Sequence, residues 1–344
     1  MRSLLFTIVA TVPIHAAETP VFVTANSTMT TGGGQIREFA FDGDEKTFFK
    51  SAINPAKDDT FTLTFDTPVT VKAVKALTGQ ANQDHHFAGD LDVSIDGIKF
   101  TTIATFKDGT AEGTPASKVK AVRLRVTATM EHPLIVREFT IVSDPPVAVF
   151  KYPVEFTLDV ADAPELKVWA TKAIRVCERH YFMINEELKS DDYKPRTVIL
   201  LSFKKDYKGV AEAGGGRIKG SVDYFKKHPD DVGALVHETA HVVQNYRTRN
   251  NPGWLVEGIA DYIRFYKYEA NKPKPLSPER AKFDGSYRTT AAFLDYLATT
   301  HNKEIVKKLN TAMRDGEYSA DLFKKYTTKP LAELDEDWKK SLRK

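Results

Sequence analysis

The chain has 344 residues, 42% of them hydrophobic and 28% charged, which is long enough for a large buried core and argues against disorder. The formal net charge of +3 argues against a nucleic-acid or strongly anionic partner. Cys177 is the single cysteine, so an intramolecular disulfide is excluded. It lies in an apolar helical stretch, and we interpret it as a buried thiol rather than a nucleophile.

Residues 1–17 predict a secretory signal peptide. Arg2 precedes the apolar run Leu4–Val12, and the small residues Ala16 and Ala17 suit cleavage. The run is too short to span a bilayer and no later segment is long enough, so we expect an exported protein with no integral membrane segment, either secreted or in the cell envelope. Export without disulfides favours a bacterial source. The alternative interpretation of the run is a buried N-terminal strand.

Residues 18–143 alternate polar and apolar positions with a period of two, interrupted by turn residues. The predicted strands are Thr60–Phe65, Val69–Leu77, Leu91–Ile95, Phe100–Phe106, Ala121–Thr127 and Leu134–Ile141. Asp96-Gly97 is a hairpin signal between two of them. Many short strands without a convincing helix predict an all-β sandwich.

The proline-rich stretch 144–153 predicts a linker, and the pattern changes after it. Over residues 154–344 it predicts an α+β domain that begins with the strand Val154–Val160 and the helix Pro164–Leu188. The apolar run Arg196–Phe203 predicts a buried strand. The glycine-rich segment Gly209–Val222 predicts either a loop or an edge strand left bare for close backbone approach, and we favour the strand.

The sequence HETAH places His237, Glu238 and His241 on one predicted helix. Residues four apart share a helical face, so both imidazoles can bind one zinc ion while Glu238 acts as general base. Glu257 and Asp261, also four apart, follow on the next predicted helix. We assign Glu257 as the third ligand, with Asp261 as a competitor, and prefer Asp261 as a hydrogen-bond partner of a ligand histidine.

Turn and capping residues bound these helices. Pro229, Asp230 and Asp231 predict the first turn of the HETAH helix, and the sequence Asn-Asn-Pro-Gly over residues 250–253 ends it. Further helices are predicted over Trp254–Tyr268 and Tyr287–Thr299. Two or three short helices are expected over residues 303–344.

The second half resembles the basic secretory protein family of zinc peptidases of plants and bacteria. The matching stretches, in one collinear order, are GVAEAGGGRIKGSVDYF, LVHETAHVVQNY, PGWLVEGIADYIRF, SYRTTAAFLDYL and EYSADLFKKYTTKPLAELDEDWK. The EGIAD helix also resembles the glutamate helix of gluzincins, although only fifteen residues separate His241 from Glu257. The resemblance implies a residue that polarises the substrate carbonyl. We choose Tyr287, with Tyr262, Tyr266 and His228 as competitors.

The first half resembles discoidin-like, galactose-binding-like jelly rolls that serve as carbohydrate-binding modules. The resemblance rests on FDGDEKTFFKS at Phe41–Ser51, on LDVSIDGIKF at Leu91–Phe100, and on VRLRV followed by VREFTI. It implies a structural calcium site, whose ligands would be the residues Asp42, Asp44, Thr47 and Glu138. An Asx-type turn with solvated acids is the alternative.

A glycan site in such a module would lie on loops at one end. The candidates are Gln83–Phe87 together with Phe48 and Phe49, since sugars stack on aromatic rings. This half contains no tryptophan, so a structural or protein-docking role is an equal alternative. His85 and His86 are interpreted as surface histidines.

These features together predict a secreted zinc-dependent endopeptidase acting on a peptide or protein substrate, with an N-terminal module that binds a glycan or glycoprotein. The alternative is a non-catalytic glycan-binding adhesin in which the peptidase-like half is only a scaffold. An intact HExxH motif with a third carboxylate favours the enzyme.

Overall fold

A computed structural model of the protein describes residues 20–79, 87–247, 250–271 and 276–343. The predicted signal peptide and residues 83–86 of the predicted glycan loop lie outside these ranges. The chain divides into two compact units. One contains the residues up to Thr30 and Ser51–Val149, and the other contains Thr31–Lys50 and Phe150–Lys344. Within the described ranges, no helix is both long enough and apolar enough to cross a membrane.

The β-strands, numbered in chain order, are β1 Val23–Ser27, β2 Phe49–Lys50, β3 Thr60–Thr78, β4 Gly89–Ser94, β5 Thr101–Thr105, β6 Thr110–Gly113, β7 Lys118–Val126, β8 Ile135–Asp144, β9 Glu155–Asp159, β10 Val198–Lys204, β11 Ala211–Gly214 and β12 Arg217–Ser221. The α-helices are α1 Lys167–Leu188, α2 Val222–Lys227, α3 Gly233–Gln244, α4 Gly253–Tyr262, α5 Tyr287–Thr300, α6 Ile305–Asp315, α7 Asp321–Thr327 and α8 Leu331–Ser341. Short 3-10 turns cover Arg37–Phe41 and Pro164–Leu166. A π-helix, Ile263–Tyr268, continues α4.

The first unit is a β-sandwich in which the long strand β3 pairs with four other strands. Residues 60–65 of β3 pair with β1 and β7, whereas residues 70–78 pair mainly with β6 and β8. The register shifts between Thr64 and Val69, around Pro68, which has no N–H to donate. The sequence predicted two strands here, and the structure has one bent strand that serves both layers. The predicted all-β sandwich is confirmed.

The second unit contains a four-stranded sheet in the order β11-β12-β10-β9. Strands β9, β10 and β12 are parallel, and β11 pairs antiparallel with β12 at the edge. In β10, Ile199, Leu201 and Phe203 are almost fully buried, while the residues between them are partly or fully exposed. The glycine-rich segment forms the β-hairpin of β11 and β12, and β11 is an edge strand of the sheet, as predicted.

Helix α3 lies in the core of this unit, packed against α1 and β11. Eleven of its twelve residues are buried, which explains why its sequence is apolar on more than one face. Cys177 on α1 is buried and free, as predicted, and burial raises the pKa of its thiol to about 12. The predicted α+β architecture of residues 154–344 is confirmed, including three helices after residue 303.

The predicted start of α3 is wrong by one turn. Pro229, Asp230 and Asp231 precede the helix, which begins at Gly233, and the short helix α2 comes before them. Asp231 still caps α3, because its Oδ1 accepts a hydrogen bond from the Ala234 N–H at 3.2 Å. The same carboxylate pairs with Arg264, so this helix start depends on a distant part of the chain.

Residues 31–50 belong to the second unit, although the sequence analysis placed them in the β-rich module. Arg37 forms ion pairs of 3.3 Å with both Glu155 and Glu178, and all three side chains are largely buried. The carboxylate of Glu38 accepts a hydrogen bond from the Val154 N–H at 2.8 Å. The second unit is therefore completed by a segment that lies more than a hundred residues earlier in the sequence.

Candidate metal centre and its cleft

Two helices bring three metal-binding side chains together. His237 and His241 lie on successive turns of α3, and Glu257 lies on α4. The two Nε2 atoms are 3.0 Å apart, and they lie 3.2 and 3.3 Å from Glu257 Oε2. Among the described residues, this is the one group of three or more histidine, cysteine or acidic side chains that could hold a metal ion.

Each histidine is oriented by a partner at its other ring nitrogen. His237 Nδ1 donates to Asp261 Oδ1 at 2.7 Å, and His241 Nδ1 donates to Gln244 Oε1 at 2.7 Å. Gln244 is itself fixed, because its amide donates to the Val256 carbonyl at 2.9 Å. Both Nε2 atoms therefore present lone pairs toward Glu257. Gln244 was not predicted from the sequence, where its only signal is its position three residues after His241.

The donor set fits a divalent metal ion. Two imidazole nitrogens and a carboxylate oxygen are a common ligand set for zinc and other borderline ions. A tetrahedral site with metal–ligand distances of about 2.0–2.1 Å has ligand–ligand edges of about 3.3–3.4 Å. The observed separations of 3.0 to 3.3 Å are close to these edges. Three converging lone pairs at this spacing repel one another unless a cation or a proton lies between them.

Electrostatics agree with a site that attracts positive charge. Burial alone would lower the pKa of His237, but its hydrogen bonds to Asp261 and Glu257 outweigh this and raise the pKa to about 9. Burial would raise the pKa of Glu257, but its contacts with the two imidazoles lower it to about 2. The carboxylates thus stabilise a cation at the point where the three side chains meet.

Glu238 is the one acidic side chain of the HETAH segment, and it is 7% exposed. Its Oε2 is buried and has no hydrogen-bond partner among the described residues. Burial raises the pKa of this carboxyl, and the adjacent imidazoles only partly offset that effect. A buried carboxylate oxygen without a partner is unusual in a folded protein and is typical of a functional group.

Gly258 sets the distance between α4 and α5. A Cβ atom at this position would lie 2.1 Å from Thr290 Cγ2, so any side chain would force the two helices apart. This close approach brings the start of α5 next to the candidate metal ligand His237. The ring of Tyr287, the first residue of α5, lies 6.3 Å from the ring of His237 and nearly parallel to it.

Tyr287 faces an open cleft. Its side chain is 55% exposed, and the charge of Glu257, followed by burial, raises the pKa of its hydroxyl. The residue lies in an unusual backbone, because Ser286 and Tyr287 have φ angles of 64° and 46°. Ser286, with ψ of 165°, occupies a region that is normally restricted to glycine. Strain of this kind is concentrated at functional sites.

The cleft has a volume of about 1020 Å³ and is lined by α3, the edge strand β11 and the segment before α5. Tyr207 and Tyr287 both line it, and the pKa of Tyr207, raised to about 12 chiefly by burial, also responds to the charge of Glu238. The competitors named from the sequence, Tyr262, Tyr266 and His228, are not among the lining residues. Nothing in the sequence around Tyr207 marked it as a site residue.

The profile of a protein family described as BSP, "Peptidase of plants and bacteria", matches residues 155–338, which is more than half of the chain. The match spans both motif helices and the edge strand. The chain belongs to the BSP peptidase family. A search of curated proteins gave no match to this BSP peptidase.

Solved structures similar to this BSP peptidase include carbohydrate-binding modules. CBM32-1 from a family 31 glycoside hydrolase of Clostridium perfringens is 16% identical, with a TM-score of 0.30, over 35% of this chain and 92% of its own. Chitosan-binding module 1 of a chitosanase/glucanase from Paenibacillus sp. IK-5 is 22% identical, with a TM-score of 0.30, over 35% and 93%. The family 32 module of NanJ from C. perfringens, solved with galactose, is 14% identical, with a TM-score of 0.29, over 35% and 92%.

The predicted calcium ligands of the BSP peptidase do not appear in a cluster of acidic groups within the described residues. Asp42 accepts hydrogen bonds from the Asp44 N–H at 3.0 Å and from the Thr47 hydroxyl at 2.9 Å. This is the Asx-type turn that the sequence analysis gave as the alternative. Glu138, on β8, belongs to the other compact unit and is 5% exposed. Calcium binding stays a prediction.

The predicted glycan-stacking aromatics of the BSP peptidase are mostly inaccessible. Phe49 is fully buried and Phe87 is 4% exposed, so neither offers a ring face to a sugar. Phe48 is partly exposed. The interpretation of Phe49 as a platform is therefore wrong, because its ring contributes to the core.

Proposed function

We propose that the protein is an exported zinc-dependent endopeptidase. The observation that carries the proposal is the convergence of ligand atoms of His237, His241 and Glu257 within 3.0 to 3.3 Å of one another, together with the buried Glu238 Oε2, which has no hydrogen-bond partner among the described residues. The cleft in front of them is large enough for several residues of an extended peptide. Membership in a peptidase family supports peptide-bond hydrolysis as the reaction.

His237, His241 and Glu257 would hold the ion. When bound there, zinc would supply a Lewis acid that activates water at neutral pH and polarises the scissile carbonyl. Asp261 and Gln244 would keep the imidazole Nε2 atoms aimed at the site. The protein contributes the fixed geometry, which spares the reorganisation that a flexible ligand set would require.

Glu238 would move the proton. Its free carboxylate oxygen can accept a proton from the attacking water and then donate it to the leaving amine. Glu238 lies three residues before His241 on α3, so the two side chains are neighbours on the helix, and the charges of both imidazoles act on its carboxyl. No other acidic side chain of the cleft is both buried and without a hydrogen-bond partner in the described residues.

Strand β11 would align the substrate. It is an edge strand whose free side borders the cleft, so a peptide can add to the sheet through main-chain hydrogen bonds. Gly214 has no atom within 4 Å of the position that a Cβ would take, and its φ is not positive. The fold does not require glycine there. A bare strand that admits a substrate backbone explains it.

Tyr287 would donate its hydroxyl proton to the carbonyl oxygen as negative charge develops on it. Its ring stands beside His237 on the open side of the site. Tyr207 is the second tyrosine that could reach the same region. Export by the predicted signal peptide and ligand binding by the N-terminal unit are parts of the proposal that N-terminal sequencing and glycan arrays can test.

The test combines metal analysis with one isosteric variant. Glu238→Gln should keep about one zinc per chain and lose peptide hydrolysis by about three orders of magnitude or more, because only the proton carrier changes. Glu279→Gln, an exposed site outside the cleft, is the matched control. Zinc content by mass spectrometry and cleavage of a peptide library, with and without a chelator, give the readouts.

Equal cleavage by Glu238→Gln and the wild-type protein would show that the mechanism is wrong. A purified protein that holds no zinc and cleaves no peptide, but binds glycans on an array, would favour the adhesin instead. Cleavage that survives complete removal of the metal would contradict the zinc assignment alone.

A further inference from the structure

Two arginines line the cleft among the described residues, and they differ in their surroundings. Arg288, the second residue of α5, lines the cleft and is exposed. It forms no ion pair with any described residue. Its guanidinium carbon lies 4.1 Å from the centre of the Phe265 ring, a cation–π contact with a residue that also lines the cleft.

The other arginine of the cleft, Arg264, has a structural role. Arg264 stacks on the same Phe265 ring at 4.6 Å, but it also pairs with Asp231 and with Glu269. Its side chain is 14% exposed and it lies against Gly233 at the start of α3. Arg264 is thus neutralised by the fold, whereas Arg288 has no acidic partner in the part of the chain that the structure describes.

Arg288 also lines the same cleft as the three candidate metal ligands. It follows Tyr287 directly in the chain, and the Tyr287 ring is 6.3 Å from the ring of His237. A group bound to Arg288 would belong to a residue near the scissile bond. The strained backbone at Ser286 and Tyr287 fixes the first turn of α5 and with it the direction in which Arg288 leaves the helix.

We propose that Arg288 forms a subsite for a carboxylate of the substrate, an inference that rests on the proposed peptidase function. A guanidinium held by stacking presents its N–H fork with little loss of side-chain entropy, and a carboxylate accepts two parallel hydrogen bonds from it. A neutral or basic group at the same place would leave these donors unmatched. The cleft therefore selects substrates by charge as well as by backbone shape.

The carboxylate can come from two sources. It is either the side chain of a glutamate or aspartate near the scissile bond, or the C-terminal carboxylate of a short peptide. The first source makes the protein an endopeptidase with acidic preference, and the second makes it a carboxypeptidase-like enzyme. Both use the same contact with Arg288.

The experiment uses matched fluorogenic peptides and the full-length zinc-loaded protein. One series places glutamate or glutamine at each position around the scissile bond, with a blocked C-terminus. The other places a free carboxylate or an amide at the C-terminus of a peptide without acidic residues. In the series that contains the natural source of the carboxylate, kcat/KM of the wild-type protein should be about fivefold higher for the carboxylate peptide than for its neutral partner. This ratio corresponds to roughly 1 kcal/mol.

Three variants assign the preference to Arg288. Arg288→Gln should bring the ratio of carboxylate to neutral peptide within about twofold of unity, and Arg288→Glu should invert it in favour of the neutral peptide. Arg288→Lys keeps the charge but loses the fork, so its ratio should fall between those of the wild type and Arg288→Gln. Arg280→Gln removes one exposed positive charge outside the cleft and should keep the wild-type ratio.

The outcomes separate the subsite from the proposed function. Hydrolysis with equal rates for both members of every pair, or a preference that survives in Arg288→Gln, overturns the subsite and leaves the peptidase intact. If no peptide is cleaved, the same labelled pairs are titrated by fluorescence anisotropy. A Kd ratio of about fivefold that vanishes in Arg288→Gln supports the subsite without catalysis, and equal Kd values overturn it.

Discussion

His237 and His241 are the same residue type, but different partners hold their Nδ1 atoms. Asp261, a carboxylate that is 4% exposed, faces His237, and the neutral amide of Gln244 faces His241. A carboxylate makes the opposite ring nitrogen a stronger electron-pair donor than an amide does. We therefore expect His237 to be the stronger ligand of the two.

Asp261→Asn tests this difference. The variant keeps the hydrogen-bonding shape but loses the charge, and we expect zinc affinity to fall by about 10- to 100-fold. Competition titration with a coloured chelator measures it. Asp284→Asn, an exposed change outside the cleft, is the control. An unchanged affinity in Asp261→Asn would show that the carboxylate only packs against the ring.

Of the four tyrosines that line the cleft among the described residues, Tyr207 and Tyr287 are the candidates for this role, and single-atom changes distinguish them. Tyr287→Phe removes one hydroxyl that faces the site, and kcat should fall by about 100-fold with KM almost unchanged, because the lost hydrogen bond forms in the transition state. Tyr207→Phe should lower kcat much less, since its hydroxyl contacts the Ala211 carbonyl at 3.3 Å. Steady-state kinetics of both variants on one peptide measure the two changes in kcat. A larger fall in kcat for Tyr207→Phe would show that Tyr207, and not Tyr287, stabilises the carbonyl oxygen.

The spacing of residues predicts part of the site and leaves part of it unseen. Four-residue spacing places His237 with His241 and Glu257 with Asp261, because the helix repeat alone fixes each pair. It does not reveal Tyr207 or Arg288. Their positions follow from the loop before β11 and from the approach of α5, and neither feature has a local signature in the sequence.

At the scale of elements, the site depends on how closely α5 approaches α4. Thr290 of α5 occupies the space that a side chain at Gly258 would need. The glycine at position 258 therefore lowers the helix propensity of α4, but it allows α5 to pack at a short distance from α4. Tyr287 and Arg288 reach the cleft because they begin the helix that this glycine admits.

Gly258→Ala should separate the two helices. We expect a loss of about 1–3 kcal/mol in the free energy of unfolding from overpacking, together with a fall in kcat as Tyr287 moves. Chemical denaturation and kinetics measure the two effects. Gly253→Ala, at the exposed start of α4 with no atom within 4 Å of its Cβ position, is the matched control. A fully active and stable Gly258→Ala would contradict the role of this contact.

Strand and helix periods predict most elements, but not where long-range contacts move a boundary. The long strand β3 looked like two strands, because only the two-layer packing shows that one chain segment serves both sheets. Helix α3 begins at Gly233 rather than at Pro229 because Asp231 turns toward Arg264 on a later element. Such contacts between distant residues leave no trace in local composition.

At the scale of the whole molecule, the peptidase unit includes residues 31–50 in addition to the residues from Phe150 onward. Arg37 and Glu38 contact β9 and α1, which follow them by more than a hundred residues. A domain boundary drawn from the proline-rich linker cannot detect this, because the contacts that tie residues 31–50 to the second unit are made with residues more than a hundred positions later. The family match begins only at residue 155.

Glu38 gives this arrangement a pH dependence. Burial, and then the charge of Glu178, raise the pKa of Glu38 well above its usual value, against the opposing effects of the Val154 N–H, Arg37 and Arg175. The folded state thus binds a proton that the unfolded state releases above about pH 4.3. The contribution of Glu38 to stability is complete below that pH and is lost as the pH rises through its folded pKa.

Glu38→Gln mimics the protonated acid and does not titrate. Relative to the wild-type protein, the variant should become steadily more stable between pH 5 and pH 8, with a rising difference in the free energy of unfolding, because only the wild type loses a proton over this range. Urea denaturation across this range measures the difference. Glu45→Gln, an exposed change in the same segment, should show no such trend. A constant difference at all pH values would show that Glu38 is ionised in the folded protein.

The chain leaves the second unit after Lys50 and returns to it at Phe150. During synthesis, residues 31–50 are therefore made long before β9 and α1, and they can pack into the second unit only after those elements have been made. Closing so long a loop adds an entropic cost to folding that contacts between neighbouring residues do not carry. The unit that cuts peptides should therefore be among the last parts of the protein to mature, which delays proteolytic activity during biogenesis.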